Sequence, residues 1–168
     1  KQSICYNQQN VKIVGSHAGL MSGDLGATHQ MLEDIALMRC LPSLEVFAPI
    51  DALEMKKMLP VLASSPRPAY LRLFRPPTIE VYPLKLSFTI GKSHLIRSGS
   101  DITVLGYGPI LTQLFSDDFK KFSLEIINCS SIKPLDSETI LKSVKKTGRC
   151  LVIEDHQKNG GLGDAVSN

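Results

Sequence analysis

Two histidines twelve positions apart, His17 and His29, lie in a loop with four glycines, Gly15, Gly19, Gly23 and Gly26. The loop follows the short β-branched run Val11-Lys12-Ile13-Val14, which reads as a strand feeding a glycine-rich turn. Open α/β sheets bind ligands beyond the carboxyl ends of their strands, so the loop is a candidate site. An imidazole at a helix start can meet an anion or donate to a substrate oxygen, because the backbone N–H groups there already favour negative charge. From spacing alone a plainer reading is the stronger one. The glycines would supply turn geometry and the histidines would be surface or capping groups, since no third ligand or nucleophile is adjacent.

Other motifs carry less chemistry. Gly106-Tyr107-Gly108 lacks the third glycine of a phosphate cradle and reads as a strand-to-helix turn. In Glu154-Asp155-His156 adjacent residues at a strand end point to opposite faces, so a structural or interface role is expected rather than concerted acid–base work. Lys142, Lys145 and Lys146 sit where the end of a helix is expected, as a solvated face that complements its dipole. Cys5, Cys40, Cys129 and Cys150 stand alone, without C-x-x-C or zinc-finger spacing, and read as ordinary buried thiols.

The elements that must position these residues alternate. A helix is expected from Thr28, as its N-cap, through Met31, Leu32, Ile35 and Met38 to a stop at Pro42. Strand Glu45–Pro49 follows, then a capping box Asp51-Ala52-Leu53-Glu54 opening a helix that Pro60 ends or kinks, then strand Tyr70–Phe74. Strand–helix alternation at this spacing signals βαβ units in a parallel sheet. The proline-rich stretch Arg75 to Lys85 reads as a stiff linker, which divides the chain into 1–80 and 81–168. After it are expected a small hairpin of Ser87–Ile90 with Ser93–Arg97 around Gly91, a strand Ile102–Gly108, a helix Ile110–Phe115, a strand Leu124–Ile127, a helix Ser137–Lys146 and a strand Cys150–Ile153. The fold class is therefore α/β, two successive α/β domains with mostly parallel sheets.

With 168 residues, 43% of them hydrophobic, the chain is long enough to bury a core. Its net charge of +3 comes from scattered basic residues, which disfavours nucleic-acid binding. No apolar run approaches the ~18 to 20 residues that cross a bilayer, so no membrane association and a cytoplasmic location are expected. Both ends read as cut: Lys1 has no cap or turn before it, and the helix after Gly163 stops almost as it starts.

Taken together, Val11–Gly19, Gly26-Ala27-Thr28-His29-Gln30, Glu33–Arg39, Pro49–Glu54 and Pro68–Arg75 resemble the transketolase family. Leu105–Gly108, Ile132–Asp136 and Glu154-Asp155-His156 with Gly160-Gly161-Leu162-Gly163 extend the resemblance over nearly the whole chain. The wording is most similar to the C-terminal subunit of split transketolases. The resemblance implies a pyrimidine-binding domain, incomplete at its start, in 1–80 and a transketolase C-terminal-like domain in 81–168. It also implies an enzyme that moves a two-carbon ketol unit between sugar phosphates in the pentose phosphate pathway, with thiamine diphosphate stabilising the carbanion. The family's diphosphate and Mg²⁺ motif is absent: Gly23-Asp24 is followed by Leu25, and no Asn occurs between Asn10 and Asn128. Thiamine diphosphate and Mg²⁺ would thus be held by an N-terminal, diphosphate-binding partner subunit, with self-association of this chain also implied.

By the same resemblance, His29 contacts substrate oxygens near the reacting carbon as the catalytic residue. His17 lies near the sugar phosphate and Arg75 pairs the phosphate; no residue of this chain is implied to hold the cofactor or a metal. The family's catalytic glutamate and its pyrimidine-stacking aromatics precede Lys1. One departure stands out: transketolases usually read Gly-Glu-Asp-Gly where this chain reads Gly23-Asp24-Leu25-Gly26, and a leucine cannot accept the bond to the sugar's C2 hydroxyl. Asp24 is a substrate-binding candidate through a shifted loop, the alternatives at Leu25 being a relaxed stereochemical preference for the donor or a substrate other than the usual pentose phosphate. Rival readings are 1-deoxyxylulose-5-phosphate synthase, a 2-oxoacid dehydrogenase β-subunit, and a non-catalytic scaffold subunit.

Overall fold

The computed structural model describes residues 1–21, 23–75, 77–82 and 86–168. After a wide helical turn at Gln2–Tyr6, the first half builds strands β1 (Lys12–Gly15), β2 (Glu45–Phe47) and β3 (Ala69–Arg72). Helices α1 (Asp34–Arg39) and α2 (Ala52–Ser64) form the crossovers, and β3 lies between β1 and β2, parallel to both. The second half contributes β4 (His94–Arg97), β5 (Ile102–Gly106), β6 (Leu124–Asn128), β7 (Ser131–Lys133) and β8 (Cys150–Ile153), with α3 (Ser137–Thr147) and α4 (Leu162–Ser167). The second sheet has the order β4-β6-β5-β8, parallel except for β4. Both halves are α/β with mostly parallel sheets, and among the described residues no helix is long and apolar enough to cross a membrane.

The α2 start follows its capping signal: Asp51 Oδ1 accepts from Glu54 N at 2.7 Å. Glu54 reaches back one residue further than in the usual box, accepting from Ile50 N at 2.7 Å, and is buried against Asn128 Nδ2 of β6 (3.0 Å). The helix runs through Pro60 to Ser64, so it does not end at the proline.

Several expectations give way to long-range pairing. No helix begins at Thr28. Ala27–His29 is a single 3-10 turn and α1 starts only at Asp34, because Met31 is drawn into a parallel bridge with Ala18. Ser87–Ile90 makes no hairpin: Phe88 packs edge-on against Phe47 with ring centroids 5.9 Å apart, and β4 pairs antiparallel with β6 instead. The segment Pro109–Phe115 is a 3-10 helix. Cys40 and Cys150 are exposed, and only Cys5 and Cys129 are buried thiols. Pro76 and Pro83 of the expected linker lie outside the described residues. Val81 and Tyr82 from the same stretch are packed, not free, with Val81 N donating to Asp51 Oδ2 (2.8 Å) and Tyr82 Oη accepting from Asn128 Nδ2 (2.8 Å).

The two sheets share a core. Val46, Ala48 and Tyr70 of the first half join Leu105, Tyr107, Ile127 and Ile132 of the second in one apolar cluster. β7, from the second half, adds to the first sheet by pairing antiparallel with β2. At the centre of the contact lies Arg72, the last residue of β3, with no solvent exposure. Its Nε is ion-paired with Asp34 Oδ2 at 3.3 Å, Nη1 donates to Tyr107 Oη at 2.9 Å, and Nη2 donates to the Asp155 carbonyl at 2.7 Å. The guanidinium also lies over the Phe74 and Tyr107 rings. Tyr70 Oη donates to the same Asp34 oxygen at 2.8 Å. Burial pushes the Tyr70 and Tyr107 phenols well above their ordinary value, so both stay protonated.

Removing one partner of a buried ion pair strands the other charge. Arg72→Met is therefore expected to cost about 3 to 5 kcal/mol in urea denaturation, and Arg72→Met with Asp34→Asn less than Arg72→Met alone. Strictly additive losses would contradict the pairing. A second prediction concerns Glu125, buried on β6. Burial opposes its charge, but Lys146, Ser143 Oγ (2.8 Å) and Gly99 N (3.2 Å) outweigh that and hold its carboxyl below the usual 4.5. A lowered folded pKa means stability that is present above 4.5 and lost as pH falls through the folded value. Glu125→Gln should flatten the acid limb of a stability–pH profile; an unchanged limb would refute the assignment.

Candidate functional site

The candidate loop is built on the carboxyl ends of β1 and β3. Leu73 N donates to Gly15 O at 2.7 Å and Ala18 N donates to Leu73 O at 3.3 Å, so the chain leaving β1 runs beside the chain leaving β3. Gly15 is needed for the approach, since a Cβ there would overlap the Tyr70 hydroxyl. The loop then closes on itself: Ala18 bridges Met31, and Gly19 N donates to Met31 O at 2.8 Å. His17 immediately precedes this bridge on one side and His29 precedes it by two residues on the other. The histidine segments are thus joined through the backbone although twelve residues separate them.

His17 has φ +64°, a left-handed backbone that a non-glycine residue holds only when its surroundings impose it. Its ring is exposed and Nδ1 lies 2.9 Å from Ser16 Oγ. His29 ends the Ala27–His29 turn, exposed, with Nδ1 2.9 Å from Thr28 Oγ1. Thr28 is thus a partner of the histidine rather than a helix cap. The turn is entered through Gly26 at φ +70°, where the left-handed backbone favours glycine. Asp24 lies on a second 3-10 turn, Gly23–Leu25, packed against the histidine turn, and both Asp24 and Leu25 are exposed. Arg75 is exposed two residues beyond Leu73, whose carbonyl accepts from Ala18 N. Two imidazoles, a guanidinium and a carboxylate on solvent-facing loops suit a polar, anionic ligand. Among the described residues no group of three or more His, Cys, Asp or Glu side chains is placed to hold a metal ion.

Residues beneath the loop support it, Arg72, Asp34 and Tyr70 without a signal from spacing and Glu154-Asp155-His156 in the structural role expected of them. Arg72, Asp34, Tyr70 and Tyr107 form the buried polar centre, and Asp155 accepts from Leu20 N with both carboxylate oxygens (2.9 and 3.0 Å). Glu154 accepts from Leu162 N (2.7 Å), Gly163 N (3.0 Å) and Tyr107 Oη (3.2 Å), satisfying the start of α4. His156 Nε2 accepts from Ala36 N (3.3 Å). The signal available in the sequence was an arginine in the middle of an apolar strand, Tyr70-Leu71-Arg72-Leu73-Phe74. Gly108, read as a turn glycine, leaves room for the Phe74 ring, which a Cβ would overlap.

Comparison with known proteins identifies the frame. The family described as transketolase, pyrimidine binding domain, matches residues 2–78, and that described as transketolase, C-terminal domain, matches residues 91–168. The chain is 35% identical to an apulose-4-phosphate transketolase subunit of Phocaeicola vulgatus, over 99% of this chain and 55% of that protein. It is 33% identical to the 6-deoxy-6-sulfo-D-fructose transketolase subunit SqwH of a Clostridium species, over 98% of this chain and 52% of that protein. A solved split-gene transketolase, described as an inactive β4 tetramer, superposes with a TM-score of 0.87 at 35% identity, covering 98% of this chain and 54% of that one. Transketolase of Campylobacter jejuni, at 18% identity and TM-score 0.70 over 88% of this chain and 24% of that one, shares the fold. The chain spans about half the length of the curated relatives it matches. With both of its α/β units matched in their family order, the chain belongs to the transketolase family.

Proposed function

We propose that this chain is the C-terminal part of a split transketolase, transferring a two-carbon ketol unit between sugar phosphates. The supporting observation is the closed loop on β1 and β3, which joins the His17 and His29 segments and is bonded to Leu73, two residues before Arg75. Relatives named as transketolase subunits favour ketol transfer over the pyruvate-decarboxylating enzymes of similar build. Thiamine diphosphate, when bound, would supply the electron sink that no side chain offers. In this reading the metal–diphosphate end of that cofactor falls outside this chain, where Gly23-Asp24 is followed by Leu25 rather than by the family's glycine. That end, with Mg²⁺, is assigned to an N-terminal partner subunit. Self-association of this chain is part of the reading, as is a cytoplasmic setting, where sugar phosphates are retained.

In this reading Arg75 forms two charge-assisted hydrogen bonds to the sugar phosphate through its planar fork, and His17 stands on the same side. His29 donates to the substrate oxygen on which charge develops, a bond that strengthens as the reaction proceeds. Asp24 supplies a carboxylate to sugar hydroxyls, while Leu25 presents an exposed methyl-bearing surface where the family carries the acceptor for the C2 hydroxyl. An altered donor sugar is consistent with the unusual sugars in the names of the two relatives.

The test is ketol transfer from xylulose 5-phosphate to ribose 5-phosphate by the full-length chain with a diphosphate-binding partner, thiamine diphosphate and Mg²⁺, compared with either protein alone. Activity only in the mixture is expected. Absence of transfer from any sugar phosphate despite a stable complex would overturn the reading. In the active mixture, His29→Ala should lower kcat, whereas Arg75→Ala should chiefly raise KM for phosphorylated sugars; equal effects of Arg75→Ala on non-phosphorylated sugars would remove its role. Leu25→Asp should raise kcat/KM for ketose phosphates of the usual C2–C3 configuration by up to about tenfold, the worth of one hydrogen bond to a neutral hydroxyl. No gain in steady-state assays would dismiss that explanation of Leu25.

A further inference from the structure

The second α/β unit carries none of the residues proposed to touch substrate, yet its chain crosses the first unit at both ends of the candidate loop. Leaving β8, Asp155 accepts from Leu20 N at the loop's start, and its own carbonyl is held by Arg72 Nη2 (2.7 Å). The next residues reach the far end of the loop: Gln157 N donates to Leu32 O at 2.9 Å and His156 Nε2 accepts from Ala36 N at 3.3 Å. Arg39 of α1 then donates to Gly161 O at 2.6 Å. Asp155 is 5% exposed, so its carboxylate is a buried charge that spends both oxygens on one backbone N–H of an otherwise exposed segment. The site is fitted closely, since a Cβ on Gly19 would overlap Asp155 Oδ2 and approach Arg72 Nη2. Gly19 itself has φ +80° and His17, two residues earlier, φ +64°.

We propose that Asp155 is a positioning residue for the site: by anchoring Leu20 N it holds the His17–Leu20 backbone, left-handed at His17 and Gly19, and so sets where the His17 imidazole stands. The inference rests on the transketolase reading for its catalytic consequence, but not for the anchor itself. Charge-assisted acceptance by a carboxylate is stronger than a neutral bond, and a left-handed non-glycine residue returns to ordinary backbone once its restraint is removed. Arg72 acts one step further back, holding the Asp155 main chain while Asp34 and Tyr107 hold Arg72 and Tyr70 holds Asp34. The strap after β8 therefore determines the loop's shape while contributing no substrate contact.

Two variants separate anchoring from packing. Asp155→Asn keeps the size and one acceptor oxygen for Leu20 N, whereas Asp155→Ala removes both, and neither alters the main-chain carbonyl that Arg72 uses. Hydrogen exchange of the full-length chain, read on peptides covering 15–21, should accelerate about tenfold or more in Asp155→Ala and stay near wild type in Asp155→Asn, with β5 and β6 protected as before in both. In the assembled enzyme, Asp155→Ala should raise KM for the phosphorylated donor about tenfold with kcat within about threefold, and Asp155→Asn should restore most of the loss. Unchanged exchange in 15–21, or accelerated exchange with unchanged KM, would overturn the proposal. An assembly in which wild type transfers no ketol unit would end the functional reading, while the exchange comparison would still decide the anchor.

Discussion

A guanidinium cannot be left alone in a protein interior, and Arg72 is wholly buried where the two sheets meet. The surroundings of β3's last residue are therefore specified closely. A carboxylate must face Nε, which Asp34 does from the start of α1, and acceptors must face both Nη atoms, which Tyr107 and the Asp155 carbonyl do from the second sheet. Tyr70, two residues earlier on β3, reaches the same Asp34 oxygen. One charge thus ties together α1, β3, the turn after β5 and the end of β8. The apolar cluster around Tyr70, Tyr107, Ile127 and Ile132 excludes the water that would otherwise solvate it.

The candidate site inherits its shape from that constraint. β3 is central in its sheet, its carboxyl end is bonded to the chain leaving β1, and the segment after β8 is drawn over the loop by the Arg72–Asp155 contact. The exposed side chains proposed to meet substrate stand on backbone whose hydrogen bonds lead into the buried centre within a few residues. Such a division, with adaptable loops at the surface and a rigid polar core beneath, is what places a substrate-contacting group reproducibly. The two units are coupled further by β7 and by the Glu54–Asn128 contact, so the sequence boundary near residue 80 is not a mechanical boundary.

Much of this was legible in the residue pattern where local signals decide the structure. The β8 segment Cys150–Ile153, the capping pair Asp51 and Glu54, and the glycine loop on a strand end all follow from period, cap and turn chemistry. Pairing between distant segments was not legible. Met31 and Leu32 carry a helical period, but the Ala18 bridge and the Gln157–Leu32 bond take them as extended chain. The run Ser87–Ile90 alternates like a strand, yet Phe88 packs edge-on against the distant Phe47 and no hairpin forms. β7 has three residues before Pro134 and no periodic signature of its own. The family resemblance assigns roles to exposed residues, whereas Arg72 lies wholly buried, a state that composition does not announce because arginines are seldom fully buried.

The site loop, the first sheet and the second sheet are tied into one body centred on Arg72. Scanning calorimetry of the chain measures this directly. A single transition whose calorimetric and van't Hoff enthalpies agree is the expected result, because separating the units would strand a buried guanidinium and a buried carboxylate at once. Two resolved transitions, one for each α/β unit, would contradict it.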